Sequence, residues 1–334
     1  MIKKKYIREI AVSNGFDLCA VIRPGLVEGF DIFAQWLQDG CHADMKWLEK
    51  NLDKRCDTKM IMEDCQSIIV LGVSYFNGDN INDGNNAIIA RYAWGDDYHD
   101  VLQKKLKIII EKIKNIYTKN SPVGAIPRGR PNLVSTKGDR KGRPYDPNSN
   151  FKFYTDTGPI LEKNLGAMAG LGWIGKNSLL INHQIGSYFF MATIFTNLQI
   201  DEFTEESMGG CGTCRKCIDA CPTGAIREDR TIDCRKCISY HTIENKGQIP
   251  PKIKDKINNR IFGCDICQEV CPWNRFAKQT RLSEFETKNN RDKLTMEQIR
   301  NIDREEYQRL FKNSAVKRAK FEGLKRNAGG GTLS

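Results

Sequence analysis

Long apolar runs are missing from this 334-residue chain. The longest, Ser67–Val73 and Tyr188–Phe195, stop at seven and eight residues, far short of the roughly 20 that cross a bilayer as helix. The opening Met1-Ile-Lys-Lys-Lys-Tyr-Ile-Arg-Glu-Ile10 has neither an apolar leader core nor a twin-arginine pair. Secretion is therefore not indicated, and the cytoplasm is the expected compartment. There is no P-loop, and no glycine fingerprint follows a strand as a dinucleotide fold requires. Gly170-Leu-Gly172-Trp-Ile-Gly175 has the letters of that fingerprint but follows a helical pattern, so a tight turn or close backbone approach is its expected meaning. Acid is in deficit: 41 Asp and Glu face 52 Lys and Arg, a net charge of +11. Asn120–Lys152 holds seven basic against two acidic residues, and Lys312–Arg326 six against one. Solvated faces are the ordinary fate of such runs, but two clusters on a basic chain make nucleic acid an expected partner.

Cysteine is what the chain has in excess, 13 in all. Cys211-Gly-Thr-Cys214-Arg-Lys-Cys217-Ile-Asp-Ala-Cys221-Pro222 is the bacterial ferredoxin spacing, in which three thiolates grip one 4Fe-4S cluster and the fourth reaches another. Cys234 and Cys237 follow, then Cys264-Asp-Ile-Cys267-Gln-Glu-Val-Cys271-Pro272. Two cubanes need eight thiolates and this stretch supplies nine. The cross-over rule assigns Cys211, Cys214, Cys217 and Cys271 to one cluster. The other takes Cys221, Cys264, Cys267 and either Cys234 or Cys237. Paired zinc sites would also use C-x2-C pairs, but two C-x3-C-P endings belong to ferredoxins. A disulfide scaffold fits a reducing compartment poorly. The stretch reads as an electron-transfer module.

The length suits about two domains with ordinary globular composition. Apolar spacing predicts helices over 2–13, 30–40, 45–52, 100–117 and 160–170, and strands over 16–22, 67–75 and 187–195, the 67–75 run being a buried central strand. This alternation indicates an α/β or α+β sandwich, with a domain boundary in the acidic segment 201–210. Pro122–Asn150 is basic, aperiodic and long for a loop. A polar helical stretch is expected over 295–312, and the terminal Gly329-Gly-Gly-Thr-Leu-Ser334 is expected to be flexible. Arg91-Tyr-Ala-Trp-Gly-Asp-Asp97-Tyr98-His99 gathers aromatic, acidic and imidazole groups, with Asp96 or Asp97 a candidate helix cap. Asp156 has two readings: a helix N-cap, or a carboxylic acid whose raised pKa in an apolar pocket suits it to general-acid work.

Several motifs together closely resemble the epoxyqueuosine reductase family, over a likeness that runs from the N-terminus to Asn327. They are Asp156-Thr-Gly-Pro-Ile-Leu-Glu162-Lys163, Ala169-Gly-Leu-Gly-Trp-Ile-Gly-Lys176-Asn177-Ser178, the double ferredoxin motif, and Ser314-Ala-Val-Lys317-Arg318 continuing to Gly323-Leu-Lys325-Arg326-Asn327. The resemblance implies an α+β fold: an α/β cobalamin domain resembling the nitroreductase fold (1–205), a small two-cluster bacterial-ferredoxin-like domain (206–280) and a helical, basic C-terminal tail (281–334). It implies reduction of epoxyqueuosine at the wobble position of tRNA to queuosine, the last step of queuosine biosynthesis, with electrons passing through two 4Fe-4S clusters to cobalamin.

Residue by residue, the resemblance makes Asp156 the proton donor. It makes Cys237, followed by Ile238-Ser239, the eighth cluster ligand, leaving Cys234 spare. It places Arg55, Asn177, Ser178, Leu180, Met191 and Ser239 near cobalamin together with Asp156. The D-x-H-x-x-G signature is absent, so no histidine of that motif is expected beneath cobalt. A wobble base can be splayed from its loop into a pocket, with Lys317, Arg318, Lys325 and Arg326 as expected phosphate anchors. Longer members continue past the Arg-Asn motif into helical repeats, which implies a smaller tRNA grip here, and Pro122–Asn150 is expected to compensate as a tRNA contact. A monomer and an unidentified electron donor complete the expectation. The competing readings are a reductive dehalogenase-like cobalamin/iron–sulfur enzyme and a ferredoxin-type electron carrier.

Overall fold

The computed structural model describes residues 1–78, 84–120, 151–204 and 209–329. The expected tRNA loop over 122–150 and the glycine-rich end lie outside the described residues. The first part of the chain runs α1 (Lys4–Ser13), β1 (Leu18–Ile22), α2 (Phe30–Gln38), α3 (Leu52–Cys56), β2 (Ser67–Ser74), β3 (Ile88–Ile89) and α4 (Tyr98–Asn120). It continues with β4 (Phe151–Tyr154), α5 (Glu162–Met168), β5 (Trp173–Ile174), β6 (Leu180–Ile181) and β7 (Phe189–Thr196). The cysteine-rich part holds α6 (Lys216–Ala220), α7 (Ile238–Ile243), α8 (Pro251–Lys254), β8 (Arg260–Phe262) and α9 (Ile266–Glu269). Helices α10 (Met296–Asn301), α11 (Arg304–Leu310) and α12 (Lys320–Asn327) close the fold.

An antiparallel sheet, ordered β1-β2-β7-β4, carries the first part. Strands β2 and β7 are buried along their whole length, as the unbroken β-branched run Ser67-Ile-Ile-Val-Leu requires when both faces are covered. Side chains alternate between those faces. Ile69, Leu71, Val73 and Ile194 meet Ile7 and Ile10 of α1 and Leu102, Leu106 and Ile109 of α4. Ile68, Val70, Met191 and Phe195 meet Leu165 of α5 and Leu180 of β6. Helix α5 is thereby fixed against the sheet, and with it the loop that carries Asp156.

A second core forms where the chain returns. Parallel pairing of β3 with β8 brings Ile89 and Trp94 onto Ile261, Phe262, Ile299, Phe311, Val316 and Leu324. The buried Arg291 guanidinium stitches this core, donating to the carbonyls of Trp94, Gly95, Leu310 and Lys312. Residues 87–94 thus pack with the C-terminal helices, and packing crosses the boundaries expected near 205 and 280. The polar stretch over 295–312 splits into α10 and α11, begun by a Thr295–Gln298 capping box and an Asp303 cap.

Candidate active site and cluster ligands

Cys211, Cys214, Cys217 and Cys271 line one cavity, although Cys271 stands at the far end of the module. Burial raises the Cys217 thiol pKa, and Cys211 and Cys271 raise it further. The other thiols form a second group. Besides burial, Cys221 bears on Cys237, Cys237 on Cys264, and both Cys264 and Cys237 on Cys267. Cys217 also bears on Cys267, so the two groups adjoin. Cys221 is lowered: burial raises it, but Thr223 and the backbone N–H of Ala225 and others outweigh that. Cys234 lies between Cys237 and Cys41, with burial pushing its thiol up to about 12. Iron binding takes thiolates, so cluster assembly in such surroundings releases protons.

One hairpin touches both groups. The β5–β6 turn projects Lys176, whose Nζ donates to the carbonyls of Gly212 and Cys214, each at 2.9 Å. Asn177, buried beside it, donates to the Cys267 carbonyl at 3.3 Å and lines the first cavity. The glycines of 170–175 serve this hairpin. A Cβ on Gly172 would lie 2.1 Å from the Ile181 carbonyl oxygen, which agrees with the close-approach reading of the motif. From the other side, the Arg91 backbone N–H donates to Asp265 at 2.7 Å and its guanidinium to Glu269 at 2.8 Å, fixing the second cysteine loop to the sheet domain.

Beyond the hairpin lies Asp156. The N-cap of α5 is Leu161, so Asp156 caps nothing. Its φ of +58° puts it in the left-handed region, a conformation that Asp tolerates better than most residues. Glu162 holds it there, accepting from the Asp156 backbone N–H at 2.8 Å. The Tyr98 hydroxyl donates to Asp156 Oδ2 at 2.7 Å. His99 Nε2 stands 3.4 Å from the same oxygen, and its Nδ1 is 2.8 Å from Asp97 Oδ1. The Asp97 carboxylate also accepts from the His99 backbone N–H at the start of α4, the cap expected from sequence.

The charge balance departs from expectation at Asp156. Burial pushes its pKa up, but the close His99 imidazole, the Tyr98 hydrogen bond and the charge of Lys163 prevail and hold it below the usual carboxylate range. The raised acid of the site is Glu162, pushed up to about 8 by burial and then by the Asp156 charge. The Asp156 side chain is 62% exposed although desolvation is the largest effect on it. Tyr98, His99 and Glu162 crowd it on one side and solvent reaches it on the other, so it stands at the edge of an open cleft.

The cleft has an apolar side. Helix α2 carries Phe30, Ile32, Phe33, Trp36 and Leu37, yet none of its residues is buried. Arg55 is buried against it, 5.8 Å from the Phe33 ring, and donates to the carbonyls of Ile160 and Lys50. Ser178 also has a left-handed φ, and its carbonyl accepts from Lys163 at 2.8 Å. Leu180 and Met191 pack as floor beneath Gly166, where a Cβ would meet both at 2.5 Å. Ser239, half-buried on α7, accepts at its carbonyl from the Thr242 hydroxyl.

The basic candidates divide. Lys317 and Arg318 line a surface groove with Trp47, Lys246 and Lys320. Arg318 forms a two-pronged bond with Glu244 at 2.9 and 3.0 Å and lies 5.5 Å from the Trp47 ring, itself 43% exposed. Lys325 turns to the carbonyls of Arg300 and Ile302, and Arg326 to those of His241, Asn245 and Gly247. Trp47, Arg91, Tyr98, His99 and Glu162 carry roles that the sequence did not assign. All but Trp47 stood in motifs already singled out, which was the available signal.

Known proteins share the architecture of this chain and its cysteine-rich module. Residues 210–274 match the 4Fe-4S double cluster binding domain, and residues 55–125 match the family described as epoxyqueuosine reductase QueG, DUF1730. An epoxyqueuosine reductase of Cyclobacterium marinum is 36% identical over 323 residues, 96% of this chain and 94% of that protein. A crystal structure of epoxyqueuosine reductase with an epoxyqueuosine-modified tRNA-Tyr stem loop superposes with a TM-score of 0.79 at 25% identity, over 97% of this chain and 79% of that one. A Bacillus subtilis epoxyqueuosine reductase, with its catalytic aspartate loop swung out of the active site, gives a TM-score of 0.78 at 25% identity, over 97% and 79%. The chain belongs to the epoxyqueuosine reductase family, as an oxidoreductase with a double 4Fe-4S domain.

Proposed function

We propose that this chain reduces the epoxide of epoxyqueuosine at the wobble position of a tRNA to the alkene of queuosine, with Asp156 as proton donor. The observation that carries the reading is the β5–β6 turn, which touches both cysteine groups on one side and, through Ser178 and Lys163, adjoins the Asp156 loop on the other. Cys211, Cys214, Cys217 and Cys271 are assigned to one cluster, and Cys221, Cys237, Cys264 and Cys267 to the second. Cobalamin fits the cleft because the unburied apolar face of α2 offers a corrin ring a surface to cover, opposite the polar floor of Asp156 and Lys163. Ser178 and Ser239 would contact it, Leu180 and Met191 would support the surface beneath it from the core, and Asn177 would join that surface to the cluster side, with Arg55 bracing the loop before α5. When bound, it supplies a low-valent metal that delivers electrons to the C–O bond.

Asp156 then places a proton where the oxygen leaves, and the groove of Trp47, Lys317 and Arg318 receives the neighbouring nucleotides and phosphates. Lys325 and Arg326 shape that face through their carbonyl contacts. Among the described residues no helix is long and apolar enough to cross a membrane, and a cytoplasmic monomer fed by an external electron donor completes the proposal. The dehalogenase-like and carrier alternatives have no comparable support, because relatives covering nearly the whole chain carry the reductase name.

The test is anaerobic turnover of epoxyqueuosine-containing tRNA by cluster-loaded protein with cobalamin and a strong reductant. Loss of one oxygen from the nucleoside mass is expected. No conversion by fully loaded protein would overturn the reading.

A further inference from the structure

Reducing an epoxide to an alkene breaks two C–O bonds, forms one C=C bond and releases the oxygen as water. It therefore takes up two electrons and two protons. The clusters account for the electrons under the function proposed above, on which this inference rests. Asp156 can deliver one proton at a time and is held ionised at neutral pH, so a proton must be passed to it for each delivery.

The groups around its carboxyl differ in what they can give. Tyr98 donates a hydrogen bond to Oδ2, but burial, then the charge of Asp156, raises its phenol far above its ordinary range, so it keeps its proton. Glu162 titrates nearer neutrality, yet its Oε1 accepts from the Asp156 backbone N–H. Lys163 is bonded to the Ser178 carbonyl. Arg318, from the C-terminal face, is bonded to Glu244 and cannot deprotonate. Tyr92, half-buried beyond Tyr98, is raised as Tyr98 is.

His99 is placed differently. Nδ1 is held by Asp97 at 2.8 Å, and the ring stacks on Tyr98 at 4.0 Å, with Tyr98 in turn stacked on Phe190 at 4.4 Å. Nε2 is buried, has no hydrogen-bond partner in line, and stands 3.4 Å from Asp156 Oδ2. The remainder of the ring reaches solvent, the side chain being 35% exposed. We propose that His99, oriented by Asp97, passes a proton from solvent to the Asp156 carboxylate and so supplies the second proton of each turnover. The N–H bond at Nε2 breaks, the O–H bond at Oδ2 forms, and the neutral imidazole takes a new proton from water. The neighbouring Asp156 carboxylate and the hydrogen-bonded Asp97 carboxylate outweigh burial and lift His99 to about 9, so the imidazolium is the form present at neutral pH.

The test compares wild type, His99→Gln and His99→Gly in reduced, cobalamin-loaded, cluster-loaded protein acting on an epoxyqueuosine stem loop. His99→Gln is expected to lower kcat about 100-fold, within the range for lost proton transfer, with KM unchanged. The fall in wild-type activity above about pH 9 should vanish in this variant, and imidazole should restore His99→Gly. Histidine NMR supplies a readout free of turnover: the His99 titration should move down in Asp156→Asn. Equal kcat in His99→Gln and wild type, or no rescue by imidazole, overturns the relay alone. Failure of the wild type to convert the stem loop overturns the relay and the function together.

Discussion

The two sides of the β5–β6 hairpin are held by different physics. On the cluster side, half-buried thiols from short loops face one another, and their mutual repulsion on ionising favours a cation between them. On the acid side, Tyr98 and His99 from the start of α4 face the Asp156 carboxyl, while Glu162 of α5 accepts from its backbone N–H, in a cleft open to solvent. The first arrangement depends on its metal. The second depends on geometry set by two separate cores, and it responds to pH. Damage to one side should therefore leave the other measurable.

The largest expected effect is on the cluster side. Cys264→Ser should lower iron from two clusters toward one and abolish turnover, while the far-ultraviolet spectrum of the sheet domain persists. Unchanged iron would remove Cys264 from the ligand set. Next is Glu162→Ala, which frees the Asp156 backbone from its +58° φ. Loss of about 1.4 kcal/mol of positioning should cut kcat about tenfold without touching cluster reduction, and an unaltered kcat would show that the loop holds itself.

Smaller still is the groove. Lys317→Ala combined with Arg318→Ala should flatten the salt dependence of tRNA binding by about 0.7–0.9 per lost phosphate contact. The same slope would move the interface elsewhere. The smallest effect is on stability. The folded His99 pKa is raised, so its contribution is complete below the unfolded value near 6.5 and is lost as pH rises through about 9. Denaturant melts from pH 6.5 to 9.5 should thus show a decline in wild type that His99→Gln lacks. Asp156 works in the opposite direction: its folded pKa is lowered, so its contribution is lost as pH falls below the usual carboxylate range.

Those differences also explain what could be read from the chain. Thiolates two residues apart must converge, so Cys211, Cys214 and Cys217 announce their chemistry locally, and the β-branched run of β2 announces a buried strand. Tyr98 and His99 reach Asp156 across 58 and 57 residues, and no local rule connects them. The same is true of Arg326, a surface cation by composition whose donors cap the end of α7. Helix α2 reads as an ordinary amphipathic helix, and only the fold reveals that none of its apolar residues is fully buried. The raised acid was sought at Asp156 and found at Glu162, because hydrogen bonds to the ionised form can outweigh burial.

The most direct test of the central claim, that electrons and protons reach the substrate from opposite sides of one hairpin, is a single-turnover experiment on Asp156→Asn. The account predicts that both clusters reduce as in wild type by electron paramagnetic resonance, that cobalamin stays bound, and that oxygen is lost from epoxyqueuosine at least 100-fold more slowly. Oxygen loss at the wild-type rate would contradict it.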